Sequence, residues 1–318
     1  MRVLVTGADG FVGSRLAARL EADGMQVLRA GRRSAPGADR VLIDLEHPAD
    51  WSPALAGVDV IVHAAARVHV MQDVQDPLPL YRQVNVEGTL ALARQAAAAG
   101  VKRFVFVSSI KVNGEQTLPG QPFRADDEPE PQDPYGVSKL EAERGLFALA
   151  QEGKIEVCVV RPPLVYGPGV RANFLSMMRM LDRGLPLPLA SIDNRRSLVA
   201  LDNLVDLLVC CMHHPAAANR CFLVSDGDDV STAELLRRTA RALGKPARLF
   251  PMPPALLTLA ARMLGKLQVA DRLCGWLQVD SMPARTLLNW QPPLTMAAGL
   301  ALTAAAYRDS QANQGKSA

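Results

Sequence analysis

Short, nearly uninterrupted apolar runs alternate along the first two-thirds of the chain with longer segments whose apolar positions recur at helical spacing. The runs Arg2–Thr6, Gln26–Ala30, Val41–Ile43, Asp59–His63, Arg103–Val107 and Glu156–Arg161 are rich in Val, Ile and Leu and lack polar alternation. That is the pattern of strands buried on both faces. Gly13–Ala22, Val84–Ala99 and Pro134–Gln151 read as helices between them. Strands alternating with crossover helices predict an α/β fold, a doubly wound parallel sheet of the Rossmann kind.

After about Pro162 the rhythm loosens. Prolines and glycines cluster in Arg161–Gly169 and Gly184–Pro188. A helical Asp202–Met212, a strand-like Cys221–Val224 and a helix Thr232–Leu243 follow, and Pro251–Pro254 opens another helix. Residues 1–165 therefore read as the main domain, to which 197–226 add a late strand and helix. Residues 166–310 read as a smaller region over the C-terminal edge of the sheet. The polar stretch 311–318 reads as a frayed tail.

Composition narrows the classes. The 318 residues are 49% hydrophobic and 21% charged, with a net charge of +3. That balance suits a globular protein with a sizeable core and gives no reason to expect nucleic acid as a partner. The five cysteines show no metal-ligand spacing, so neither a zinc site nor a disulfide framework is expected, and the thiols suit a reducing compartment. The longest apolar helical stretch, Ala255–Leu264, is short and carries Arg262, so no membrane span is expected. The expected location is the cytoplasm.

Chemistry enters at the first strand. Thr6-Gly7-Ala8-Asp9-Gly10-Phe11-Val12-Gly13 follows it directly and leads into an amphipathic helix. Gly7 permits the tight turn, Gly10 lets the backbone approach a pyrophosphate, and Gly13 lets the helix pack on the strand. Phe11 and Val12 lie in this cofactor-binding turn, just before the helix whose positive end faces the phosphates. The second strand ends in Gly31-Arg32-Arg33, with no acid to bind a ribose 2′-hydroxyl and two guanidinium groups able to bind a 2′-phosphate. This reading favours NADP(H), with NAD(H) as the alternative and ordinary surface charge as the plain explanation of both arginines. Asp44-Leu45 closes the third strand, where Asp44 either meets the adenine or simply turns the chain.

The strand Arg103–Val107 runs into Ser108-Ser109, and further on comes Pro134-Tyr135-Gly136-Val137-Ser138-Lys139. Tyr and Lys four positions apart share one helix face. A phenol with a pKa of about 10 is a poor base at neutral pH, and a nearby ammonium lowers it. A serine hydroxyl at the sheet edge can hold a substrate oxygen while hydride moves at the adjacent carbon.

Taken in order, these motifs resemble the extended short-chain dehydrogenase/reductases, the NAD-dependent epimerase/dehydratase family. The resemblance spans nearly the whole chain. It also rests on His63-Ala64-Ala65-Ala66, Asn85-Val86-Glu87-Gly88-Thr89, Arg161 to Pro168 and Leu288-Asn289-Trp290. It implies that Ser109 is the catalytic hydroxyl, Tyr135 the acid/base, and Lys139 the residue that binds the nicotinamide ribose and tunes Tyr135. Ala64, Ala65, Ala66, Ser108 and Pro162 would line the cofactor, and Asn85 would support the site. Asn173, Arg196 and Arg195 would meet a nucleotide diphosphate, and Lys111 and Asn113 could reach the sugar or merely form the rim. A second diphosphate arginine does not align cleanly; Arg272 is the nearest candidate.

The dehydratases of this group carry an Asp-Glu pair after the catalytic hydroxyl. Here Ile110 and Lys111 stand there, which disfavours that chemistry. The run Ser109 to Glu115 is similar to a bacterial subgroup linked to UDP-N-acetylated deoxysugars for surface polysaccharide. The expectation is therefore an NAD(P)H-dependent reductase of the C4 keto group of a UDP-linked, N-acetylated 6-deoxyhexose. The alternative is a UDP-hexose 4-epimerase acting on UDP-glucose or UDP-N-acetylglucosamine with tightly held NAD. A non-catalytic NADP(H)-binding regulator is disfavoured by the intact Ser109, Tyr135 and Lys139. The resemblance further implies a homodimer through helices Val84–Ala99 and Pro134–Gln151, with Ala91, Leu92, Gln95, Ala96 and Ala99 as the contact face.

Overall fold

The computed structural model describes residues 1–32, 40–42, 45–47, 49–68, 76–263, 265 and 267–315. The strands of the main sheet are β1 (Arg2–Thr6), β2 (Gln26–Gly31), β3 (Arg40–Leu42), β4 (Val60–His63), β5 (Arg103–Val107) and β6 (Glu156–Arg161). A short β7 (Leu164–Tyr166) and β8 (Leu198–Ala200) form a separate parallel pair, and β9 (Arg220–Leu223) returns to the main sheet. The seven strands are ordered β3-β2-β1-β4-β5-β6-β9 and are parallel throughout. This is the expected doubly wound fold. The strand order reverses between β1 and β4, so the crevice above their C-terminal ends is where such sheets bind ligands.

The helices follow as α1 (Phe11–Ala22), α2 (Ser52–Leu55), α3 (Leu78–Arg82), α4 (Thr89–Ala98), α5 (Pro134–Gln151) and α6 (Ala172–Asp182). Then come α7 (Leu201–His213), α8 (Thr232–Leu243), α9 (Pro254–Met263), α10 (Leu267–Cys274), α11 (Met282–Leu287) and α12 (Met296–Gly315). Alternation along each strand splits the core in two. Val3, Val5, Val62 and Val105 pack against α1 and α7 through Leu16, Leu20, Leu204 and Leu208. Leu4, Ile61, Phe104 and Phe106 pack against α4 and α5 through Leu92, Ala96 and Leu146. A third cluster, with Tyr166, Phe174, Met178, Leu236 and Leu300, builds the smaller region.

Three expectations change. The helix read as Val84–Ala99 begins with a π-helical turn, Gln83–Gly88, which moves Asn85 off the regular helix face. The face named for dimer contact is partly consumed within the chain: Leu92 and Ala96 are fully buried and the Gln95 amide serves Trp51 and Ala49, while Ala91 is half-buried and Ala99 exposed. The tail is not frayed from residue 311, because α12 runs to Gly315. Arg308 Nη1 donates to the Ala242 carbonyl at 3.1 Å and Tyr307 Oη to Asp182 at 3.3 Å, which hold the helix on α8 and α6. Among the described residues no helix is long and apolar enough to cross a membrane.

Candidate active site

The glycine loop forms at the switch point. Gly7 sits at φ +66°, and a Cβ there would lie 2.7 Å from the Ala65 backbone nitrogen. A Cβ on Gly13 would lie 2.2 Å from the Gly7 carbonyl oxygen. No side chain caps the first turn of α1, which begins at Phe11, so its N–H groups face outward as an anion site. A cavity of about 310 Å³ opens beside it, lined by Asp9, Gly10, Phe11, Arg15, Gly169 and Arg171. Val12 is half-buried, as are Ala64, Ala65 and Ala66, which follow β4. A glycine cradle that no side chain can fill, beside an uncapped helix end, fits a dinucleotide. Leu45 packs beneath the π-turn, where its carbonyl would lie 2.8 Å from a Cβ on Gly88. Arg32 is exposed at the end of β2. Arg33 and Asp44 lie outside the described residues, as does Ile43 of the expected third strand. A cavity of about 660 Å³ lies at the N-terminal ends of the strands around Met1, Asp59 and Lys102, away from every residue expected in the site.

The residues expected to be catalytic, Ser109, Tyr135 and Lys139, come from the end of β5 and from α5. Asp133 caps α5 by accepting from the Gly136 N–H at 2.6 Å, and Pro134 occupies its first turn. A Cβ on Gly136 would lie 2.8 Å from the Lys111 carbonyl oxygen, so the glycine lets the helix start abut the Ser109 loop. The two serines separate cleanly. Ser108 is buried and donates its hydroxyl to Glu143, while Ser109 remains partly open and accepts from the Lys111 N–H at 3.3 Å. Of the two, Ser109 is the hydroxyl left accessible at the sheet edge. Pro162 is buried, and its carbonyl accepts from the Ile110 N–H at 3.0 Å, tying β6 to the same loop.

Lys139 is 1% exposed, with its Nζ 4.1 Å from the Phe106 ring centroid. Burial pushes its ammonium down to about 7, against the opposing pull of Glu143. Burial also pushes the Tyr135 phenol up, with Asp133 and Tyr81 adding to the effect. The expected lowering of the phenol by the ammonium is thus not met by these side chains alone, because burial is the main influence on both groups. Asn85 is buried and links two segments. It accepts from the Arg67 N–H at 2.8 Å and donates to the Arg67 carbonyl and Ser138 Oγ, both at 3.0 Å. Ser138 in turn donates to the Tyr135 carbonyl at 2.7 Å.

Several partners were not legible in sequence. Glu143, one turn beyond Lys139 on α5, accepts three bonds from Arg161, whose Nη2 approaches to 2.6 Å. Its spacing from Tyr135 and Lys139 on one helix face was the available signal. His63 is fully buried between Thr6 and Thr89, at 2.8 and 2.9 Å, and stacks near Phe106. Burial, with Lys139 nearby, lowers it to about 3, so it stays neutral beneath the cofactor crevice.

On the substrate side, two expected contacts move into the scaffold. Asn113 is 3% exposed and spends its amide on the Arg124 carbonyl at 2.7 Å and on Arg161 at 2.9 Å. Lys111 is paired with Asp133 and Glu115, so its ammonium steadies the α5 cap. Asn173 is exposed in the first turn of α6, and Arg195 is exposed. Arg196 and Arg272 meet: burial and the Arg272 charge both lower the Arg196 guanidinium. Residues 276–280 lie between this pair and the catalytic loop. They bond Thr117 and Phe123 on one side and Arg195 and Ser197 on the other.

Comparison with known proteins places this geometry. The model of the NAD dependent epimerase/dehydratase family matches residues 3–224. A UDP-glucose 4-epimerase of Vibrio cholerae is 49% identical, over 96% of this chain and 95% of that protein. A UDP-glucose 4-epimerase of Mycolicibacterium smegmatis is 34% identical, over 97% and 99%. MoeE5, solved with UDP-glucuronic acid and NAD, superposes with a TM-score of 0.79 at 28% identity, covering 98% of this chain and all of that one. The expectation of a 4-ketosugar reductase is overturned by the 49% identity to an epimerase, a chemistry that the same Ser, Tyr and Lys can perform. The protein is an enzyme built on the extended short-chain dehydrogenase/reductase fold, and the chain belongs to the NAD dependent epimerase/dehydratase family.

Proposed function

We propose that the protein is a UDP-hexose 4-epimerase, acting on UDP-glucose or UDP-N-acetylglucosamine with a resident NAD. The observation that carries this is near-full-length 49% identity to a UDP-glucose 4-epimerase in a chain that keeps Ser109, Tyr135 and Lys139. Gly7, Gly10, Phe11, Val12, Gly13 and Ala64–Ala66 would hold the dinucleotide, which would supply the hydride acceptor and donor that inversion at the sugar C4 requires. Tyr135 takes the proton of the C4 hydroxyl and gives it back. Ser109 holds the same oxygen, and the ammonium form of Lys139 favours the phenolate. Arg196 and Arg272 grip the diphosphate, joined by Asn173 and Arg195. The sugar turns over between oxidation and reduction while the diphosphate stays held.

Incubation with UDP-glucose and no added cofactor should yield UDP-galactose of unchanged mass, resolved by chromatography. A product that forms only with NADPH and gains hydrogen would refute the epimerase. We further infer a homodimer through α4 and α5, which expose Arg94 and Arg144 beside the Leu90–Gly145 contact, with Glu87 exposed on the π-turn that precedes α4. Light scattering showing a monomer at micromolar concentration would remove it. A cytoplasmic location is supported by five free thiols.

A further inference from the structure

We propose that Asp9, a residue of the glycine loop, does the work that the end of β2 performs elsewhere in this fold and selects NAD over NADP. The inference rests on the dinucleotide site described above. In doubly wound sheets an acid at the end of the second strand bonds the adenosine ribose 2′-hydroxyl. Here β2 ends at Gly31, which offers no side chain. The carboxylate of Asp9 fills the gap: a Cβ on Gly31 would lie 2.2 Å from Asp9 Oδ2. The acid is therefore present at the selector position, but it arrives from another loop, and glycine at 31 is what makes room for it. The Ala8 N–H donates to the Ala30 carbonyl at 3.2 Å and holds the loop to β2 at this point.

The two oxygens of Asp9 are used unequally. Oδ1 accepts from Arg40 Nη1 at 3.0 Å. Oδ2 is buried and has no hydrogen-bond partner among the described residues. Oδ2 is turned against Gly31, while the side chain as a whole stays 23% exposed, so the oxygen open to a ribose hydroxyl is Oδ1, which keeps a lone pair free beside Arg40. A 2′-phosphate supplies no donor when ionised and brings negative charge against that oxygen. Arg40, which could otherwise grip the phosphate, is already paired with Asp9. Arg29 is likewise paired with Glu21, at 2.7 Å. The inference runs against the NADP(H) preference expected from Arg32 and Arg33.

The test is competitive titration of the purified holoprotein with NADH and NADPH, followed by nicotinamide fluorescence, in the wild type, Asp9→Asn and Asp9→Ser. Thermal unfolding of each variant checks the fold, and the near-isosteric Asn keeps the comparison usable if Ser disturbs the loop. The wild type should bind NADH at least about tenfold more tightly than NADPH. Both variants should cut that ratio by about tenfold, by weakening NADH and admitting NADPH. Equal or tighter NADPH binding in the wild type, or a ratio unmoved in a folded variant, overturns the proposal. A protein that epimerises UDP-glucose yet prefers NADPH sinks the Asp9 inference alone. One that prefers NADH through Asp9 but forms no UDP-galactose sinks the proposed reaction alone.

Discussion

Arg196 donates from Nη1 to the carbonyl oxygen of Arg272 at 2.9 Å, and the two guanidinium groups lie close enough for the Arg272 charge to weaken the hold of Arg196 on its proton. Arg196 also donates to the Gly275 carbonyl at 3.1 Å, so its position is set by the chain that carries its neighbour. Two like charges held together, one of them largely buried, form a site that gains from an anion. Arg196→Ala should therefore weaken UDP binding by about tenfold or more while changing uridine binding much less. Calorimetric titration with both ligands checks this, and an unchanged UDP affinity would place the diphosphate elsewhere.

Tyr135→Phe should lower turnover by about 10²–10⁴ and leave the dinucleotide bound, because a general acid–base group contributes on that order. The ring still packs edge-on against Tyr81, at 6.1 Å between centroids. Steady-state rates together with the cofactor content of the purified variant provide the check. Activity above a third of wild type would remove Tyr135 from the chemistry.

Glu143 and Arg161 form a buried ion pair, 2% and 5% exposed, to which Ser108 and Asn113 also bond. Removing one partner leaves a buried charge unpaired, so Glu143→Ala should cost about 3–5 kcal/mol of stability. Urea unfolding measures it. A loss within about 0.5 kcal/mol, the range of ordinary surface substitutions, would show that the pair contributes little.

His63 titrates near 3 in the folded protein and near its ordinary value when unfolded. Between about pH 6.5 and 3 only the unfolded chain takes up this proton. Stability is therefore fully present above about pH 6.5 and falls as the solution is acidified, by roughly 1.4 kcal/mol per pH unit from this group. His63→Gln, which does not titrate, should show a shallower loss over that window. Unfolding free energies at several acidic pH values decide it, and identical slopes would contradict the assignment.

Local chemistry explains what was legible in the chain. Helices α5 and α8 were expected and found with the same bounds, Pro134–Gln151 and Thr232–Leu243. Each carries its own signals: Asp133 and Pro134 start the first, while the Ser231 cap and the left-handed Gly244 bound the second. The parallel sheet followed from apolar runs, and the Tyr135/Lys139 face from a spacing within one helix. These features depend on neighbours a few positions apart. The rest depends on where the sheet brings distant loops. Asp9 lies beside Gly31, Glu143 meets Arg161, and Arg196 meets Arg272 only because strand ends and crossovers converge on one edge. For the same reason Asn113, a polar loop residue in sequence, is consumed by Arg161 and the Arg124 carbonyl in space. The sequence by itself determined the fold, the glycine turn and the spacing that puts Tyr135 and Lys139 on one helix face. Only the tertiary structure decided which charged groups remain open to a ligand and which are spent on one another, because pairing across the chain is set by distance in space.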